Sequence, residues 1–304
     1  MTQLRFCTCG KGFLFRVFFV TLLFMLVSCS QKKEPEKFTI ISYNIWNGFE
    51  GEESRKVKFA EWAQMQNADV FALEEVNNFT QDSLSQFARS WGHPYAVILK
   101  EEVYPVAITS KYPITNVQRL MDGMHHGALF VTTNGIRFGI VHLSPFSSVK
   151  RLFEAKEIEK TIRPYLSDQT IKGAVLLGDF NAYSPHDSAF YNATGRLESL
   201  QRSDASNEVH QNLNVSGQID YDVIQFFNDK GFMGSVELLG VPFERSFPTN
   251  VFDGVPSDQG KERIDHVLLS PSLHNKCLET IIMHDNVTDM LSDHYPVKVV
   301  LKNS

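Results

Sequence analysis

Residues 174–181 read Ala174-Val175-Leu176-Leu177-Gly178-Asp179-Phe180-Asn181. A short apolar run closed by a polar, turn-forming word predicts a buried strand over 174–178 with chemistry at its end. Asp179 and Asn181 are one residue apart, so an extended terminus sends both side chains to the same side. The competing reading is a local turn, since Asp and Asn also cap neighbouring backbone groups.

The same punctuation recurs along the chain. Residues 38–43, 69–73, 103–109, 129–133, 136–143, 221–226 and 264–269 are further strand candidates between polar turns. Two segments have helical spacing instead. Phe59, Trp62, Ala63 and Gln66 mark a helix over 55–66, and Leu152, Ala155, Ile158, Ile162 and Leu166 mark one over 149–166. Pro94, Pro105, Pro113 and Pro185 place strand edges or turns. Mixed strands and helices favour an α/β sandwich, with no strong repeat, coiled coil or low-complexity tract. Residues 187–218 and 243–263 are long and irregular, suited to substrate-recognition walls or to tolerated surface insertions.

The amino terminus carries an address. Arg5, Lys11 and Arg16 accompany an apolar run whose core, 17–27, has the length of a secretion signal and is too short for a membrane span of roughly 20 residues. Leu26-Val27-Ser28-Cys29 resembles a bacterial lipobox, which implies cleavage before Cys29 and lipid attachment to it. An ordinary signal peptide with a chance cysteine is the other reading. The expected organisation is a signal over 1–28, a lipidated terminus and tether over 29–37, and one domain over 38–304. This places an extracytoplasmic lipoprotein in a bacterial cell envelope, membrane-tethered and with no obligate protein partner implied. Removing 1–28 deletes three basic residues and no acidic ones, taking the formal charge from −6 to −9. No basic stripe is evident, so long nucleic acid is a less natural substrate than a small phosphoester. Only Cys277 remains besides Cys29, which excludes an intrachain disulfide framework; a buried hydrophobe fits it better than a nucleophile.

Six polar words follow one another in order: Ser42-Tyr43-Asn44, Leu73-Glu74-Glu75-Val76, Val141-His142-Leu143, Gly178-Asp179-Phe180-Asn181, Arg263-Ile264-Asp265-His266 and Ser292-Asp293-His294. Together they resemble the ordered motifs of the endonuclease/exonuclease/phosphatase superfamily, including DNase I-like proteins, over roughly 38–301. The resemblance implies a four-layer α/β sandwich, two central β-sheets flanked by helices, and phosphoester hydrolysis assisted by a divalent metal. Mg²⁺ is the expected cofactor and Mn²⁺ the alternative, with one- or two-metal occupancy open. Asp, Glu, Asn and His suit that task, because hard cations prefer oxygen and imidazole handles protons.

The resemblance assigns Glu75 to the metal, with Asn44 and Asp293 beside it; Glu74 competes, but strand alternation sends it the other way. It assigns Asp179 to the attacking water, Asn181 to phosphate orientation, His294 to phosphate contact and proton transfer, His142 to a similar role, and Asp265 to orienting an imidazole or assisting the metal. Asp220 and Asp222 compete with Asp265. Substrate-binding candidates are Tyr104, His125, His126 and Arg151; Arg151 resembles a recurrent family arginine, and a surface salt bridge is its competing role. Phe146, Phe153, Phe243 and Phe247 suit either a substrate wall or the core. The expected activity is a phosphodiesterase acting on a small or lipid-linked phosphoester. A secreted or envelope nuclease and a non-catalytic envelope binding protein are the alternatives.

Overall fold

The computed structural model describes residues 36–252 and 257–303. The signal segment, Cys29 and nearly all of the tether lie outside the described residues.

Among the described residues, twelve strands form two six-stranded mixed sheets. The first has the order β11-β12-β1-β2-β4-β3, and the second β5-β6-β7-β8-β10-β9. Their ranges are β1 Lys37–Asn44, β2 Val70–Glu74, β3 Tyr95–Ile98, β4 Ala107–Ser110, β5 Ile114–Leu120, β6 Ala128–Thr133, β7 Ile136–His142, β8 Gly173–Asp179, β9 Met233–Gly234, β10 Asp265–Leu269, β11 Cys277–Ile282 and β12 Val297–Lys302. Ile40, Val70, Ile108 and Val299 of the first sheet share a core with Leu129, Phe138, Val175 and Val267 of the second. The opposite faces are buried too. Ile41, Tyr43 and Phe71 pack under the helices Glu53–Gln66 and Gln81–Ala88. Val141, Leu176 and Leu268 pack under Ser148–Ile162 and Asp222–Asp229. Burial on both faces explains why these strands are nearly continuous apolar runs rather than alternating ones. The result is the four-layer α/β sandwich.

Topology gathers the polar strand ends. β1 runs parallel to β2, with Asn44 opposite Glu74, and β7 runs parallel to β8, with His142 opposite Asp179. β10 is antiparallel to β8, so its first residue, Asp265, pairs with Asp179, while β12 runs antiparallel to β1 and is preceded by His294. Carboxyl ends of parallel strands and amino ends of their antiparallel neighbours therefore meet on one rim.

The structure corrects three local expectations. Of the segment 103–109 only 107–109 is strand, the start of β4, because Pro105 cannot donate to a ladder and Tyr104 takes a left-handed backbone (φ 52°). Residues 221–226 are helical, within Asp222–Asp229; Val223, Ile224 and Phe227 bury one face, and Asp220 Oδ1 accepts the Asp222 N–H at 3.0 Å near the start. A short apolar run does not by itself separate strand from buried helix. The segment 187–218 contains the helices Ser188–Thr194 and Arg196–Ser206. In addition, the helix expected over 149–166 ends at Ile162, and Arg163–Ser167 continues as a tighter 3₁₀ turn containing Pro164. No described helix is long and apolar enough to cross a membrane.

Candidate active site

On the shared rim lies a cleft of about 350 Å³. Its floor is built from strand ends, and its first wall from an unusual turn. Residues Trp46 to Glu50 all have positive φ, between 45° and 66°. This one-turn helix is left-handed, a conformation that costs most residues energy and here is held by tertiary bonds. Asn47 N–H donates to Glu75 Oε2 at 2.7 Å, and Gly48 N–H donates to the Glu75 carbonyl at 2.7 Å. A Cβ on Gly48 would sit 2.2 Å from the Asn77 carbonyl oxygen, so the turn requires glycine there.

Glu75 itself is left-handed (φ 56°), one residue beyond β2. That break, added to strand alternation, brings Glu75 into the cleft and leaves Glu74 underneath. Glu74 is fully buried and accepts Ser42 Oγ at 3.3 Å; burial first, then the charges of Asp265 and Asp179, raise its carboxyl well above the usual range. Asn44 stands between two carboxylates, donating Nδ2 to Glu75 Oε1 at 3.3 Å and to Asp179 Oδ2 at 3.2 Å, while its Oδ1 accepts from Trp46 N–H at 3.1 Å. It bridges the acids and retains one oxygen lone pair.

Asp179 is the hub. Its Oδ1 accepts the Asn181 N–H at 2.8 Å, and its Oδ2 lies 3.6 Å from His142 Nε2 and 3.8 Å from His294 Nε2. Burial raises its carboxyl; His294 opposes that and Asp265 adds to it. Asp265 Oδ2 accepts from His294 Nδ1 at 2.8 Å. Burial alone would depress His294, but the charge and hydrogen bond of Asp265, with Asp293 and Asp179, outweigh it and hold the imidazole well above its ordinary value. Ser292 Oγ donates to the Asn44 carbonyl at 2.7 Å and accepts the His294 N–H at 3.2 Å, fastening the histidine loop to β1. Phe247 packs against the His294 ring. Asn181 uses one amide N–H on the Leu143 carbonyl at 3.0 Å, leaving the other. Burial, then the cations His294, His125 and Lys100, lower His142 to about 3, so it is neutral.

Of the competing acids, Asp220 is engaged elsewhere, lying 3.8 Å from Arg151, and Asp222 starts a helix. Arg151 does not reach the cleft or the surface. It is buried and donates to the Ser144 carbonyl and to Asn212 Oδ1, bracing the loop after β7. Tyr104, His125 and His126 do line the cleft, in a ladder where the His126 ring stacks on His142 at 4.3 Å and meets Tyr104 edge-on at 5.2 Å. Burial and the neighbouring imidazoles push His126 down to about 2. Phe146 lines the cleft; Phe243 stacks on Phe190 in a small core cluster, and Phe153 is half-exposed. Sequence reasoning missed Trp46, Asn47 and Glu50, which also line it. The Asn47-Gly48 pair was the available signal, a dipeptide suited to left-handed backbone.

The donor set fits a divalent cation. Glu75, Asp179, Asp293 and Glu50 face the cleft, and among the described residues no Lys or Arg lines it. Burial raises the Asp293 carboxyl; the His294 charge opposes that and the Glu75 charge adds to it, so a cation on the Glu75 side would offset the repulsion between the two carboxylates. Ligand atoms of Asp179, Asp265 and His294 also lie within 4.8 Å of one another. There, however, His294 Nδ1 and Asp265 already satisfy each other, so the Glu75–Asp293 side is the better seat for a hard cation.

Comparison with known proteins bears on the fold and the family. The fold is similar to that of an AP endonuclease from Archaeoglobus fulgidus (17% identity, covering 87% of this chain and 99% of that one, TM-score 0.64). It is similar to a 3'-5' exonuclease from Neisseria meningitidis (20% identity, 86% and 98% coverage, TM-score 0.61) and to an endonuclease/exonuclease/phosphatase family protein from Bacteroides thetaiotaomicron (18%, 88% and 95%, TM-score 0.59). At these identities the likeness is one of fold. No curated protein matches the chain. The profile of the endonuclease/exonuclease/phosphatase family matches residues 41–294, from β1 to the last site histidine. The chain belongs to the endonuclease/exonuclease/phosphatase family, whose members hydrolyse phosphoesters.

Proposed function

We propose that this chain is a phosphodiesterase dependent on Mg²⁺ or Mn²⁺, acting on a small or lipid-linked phosphoester outside the cytoplasm. The observation that carries the reading is the Asp265–His294 pair aimed with Asp179 into a cleft lined by acids, with no Lys or Arg among its described lining residues. A bound divalent ion would neutralise phosphate charge there. Glu75 and Asp293 would hold it, with Asn44 orienting Glu75 and Asp179. Asp179, fixed by Asn44 and the Asn181 N–H, positions the attacking water and accepts its proton. His294 keeps Nδ1 on Asp265, so Nε2 presents an N–H to the phosphoryl group as negative charge develops. The free amide N–H of Asn181 and the neutral His142 ring add uncharged contacts. Hydrolysis is in line and needs no covalent protein intermediate.

Two of the similar structures are named as nucleases, which makes nucleic acid the second reading. Absence of Lys and Arg from the cleft lining favours the smaller diester. The test is the fragment beginning at Gln31 assayed with controlled metal on small diesters, monoesters, sphingomyelin, phosphoinositides and short DNA and RNA. Release from a diester that requires Mg²⁺ or Mn²⁺ and is lost in Asp179→Asn and His294→Ala supports the reading. Preferential cleavage of defined DNA or RNA favours the nuclease, and binding without turnover favours a non-catalytic envelope protein. Anchoring through lipidated Cys29 is part of the proposal. Mass spectrometry of the mature terminus checks it, and an absent or unmodified Cys29 would remove it.

A further inference from the structure

Next to the cleft is a second cavity, of about 280 Å³, against the helix Arg196–Ser206 and the segment leading into β10. It shares Pro145 and Asn181 with the cleft, so the two adjoin at the residue proposed to face the phosphate. A group esterified to that phosphate would extend into it.

Its chemistry is selective. Arg196 is the only cationic side chain among the described residues that line it and is 8% exposed. Its charge is matched: Nη2 lies 2.5 Å from Glu262 Oε1 and donates to Tyr183 Oη at 2.6 Å, and Nη1 donates to the Gln259 carbonyl at 2.8 Å. Glu262 Oε2 accepts from Tyr183 Oη at 2.8 Å, and the carboxylate still has acceptor capacity. The Ser199 and Ser203 hydroxyls also line the cavity, along with Asn212, whose Oδ1 is used by Arg151. A second phosphate would meet Glu262 without a free cation to offset it, and an acyl chain would strand these polar groups. A neutral group rich in hydroxyls satisfies both sides, donating to Glu262 and accepting from the serines and the Asn212 amide.

We propose that this cavity is a recognition subsite for a neutral polyhydroxyl group, a polyol or sugar, esterified to the phosphate in the cleft. The proposal rests on the phosphodiesterase reading above. It makes the substrate a diester with a hydroxylated arm on the Arg196–Glu262 side and its other arm towards Tyr104 and His126.

The test compares methyl p-nitrophenyl phosphate with its glyceryl and inosityl counterparts, and pairs turnover with calorimetric binding of inositol 1-phosphate against methyl phosphate. Wild type should prefer a polyol diester by at least about tenfold in kcat/KM, as expected where a site hydrogen-bonds substrate hydroxyls. Ser199→Phe, which fills the cavity, and Ser203→Phe, at its exposed rim, should erase that preference while leaving the methyl diester unchanged. Glu262→Gln should weaken inositol 1-phosphate binding and not methyl phosphate binding. Normal methyl-diester turnover without a polyol preference would overturn the subsite and leave the reaction standing. Selective inositol 1-phosphate binding, lost in Ser199→Phe while no diester is cleaved, would keep the subsite and overturn the reaction. Equal loss on all substrates in both serine variants would assign the cavity a structural role instead.

Discussion

Asp265→Asn isolates the electrostatic part of the site. The substitution keeps the shape and leaves an amide oxygen to accept from His294 Nδ1, now 2.8 Å from Asp265 Oδ2, so tautomer and ring orientation persist while one charge is removed. For charge centres about 4 Å apart at an effective dielectric of about 20, the lost attraction is about 4 kcal/mol, or about 3 pH units of imidazole titration. Asp179 and Asp293 still support the proton, so the expected fall in the His294 pKa is about 1.5–3 units. The sign for stability follows. A histidine whose folded pKa is raised stabilises the fold below its unfolded pKa, and that stabilisation is lost as pH rises through the folded value. The variant should therefore lose about 2–4 kcal/mol at pH below about 6.5, with the deficit shrinking in the alkaline range. Carbon-13 NMR of the His294 ring, with urea unfolding at several pH values, reads both effects. An unchanged His294 titration, or a deficit that stays flat with pH, would refute the assignment of Asp265 as the group that keeps His294 charged.

Three further outcomes follow from neighbouring residues. Glu75→Gln should weaken Mg²⁺ dependence of turnover by about 10–100-fold or more, whereas Glu74→Gln should retain turnover and gain stability at pH 8 but not at pH 4, because burial already keeps that carboxyl raised; metal titration and melting curves at the two pH values check both. The His142 ring, lowered to about 3, should show no NMR titration between pH 5 and 9, and a midpoint near the ordinary histidine value would contradict its burial. Gly178→Ala should destabilise the domain by at least about 3 kcal/mol in denaturant unfolding, since its Cβ would lie 1.9 Å from the Val141 carbonyl oxygen at a φ of 137°; near-wild-type stability would mean β7 and β8 are less closely joined than they are here.

The sheet edges show where sequence reading stops. β3, β5, β9 and β11 end the two sheets, and none of the four was marked in advance. Edge strands face water on part of their surface, so they lack the apolar run that marks central ones. β5, for example, is mostly exposed. The central strands are covered by helices on one side and the other sheet on the other, and all of them but β12, whose run is broken by Lys298, were legible for that reason.

By itself, the sequence determined the layered α/β class and the order of the polar words Asn44, Glu75, His142, Asp179, Asp265 and His294, because strand patterning and strand-end chemistry are local properties. Tertiary structure decided the rest. The left-handed turn from Trp46 to Glu50 exists because Glu75 and Asn77 hold it. Arg151 went to a buried brace rather than the cleft because Ser144, Asn212 and Asp220, 7 to 69 residues away in the chain, converge on it. The difference is physical: periodicity and turn propensity act between neighbours in sequence, whereas the direction of a buried polar side chain is set by whichever distant partner satisfies it.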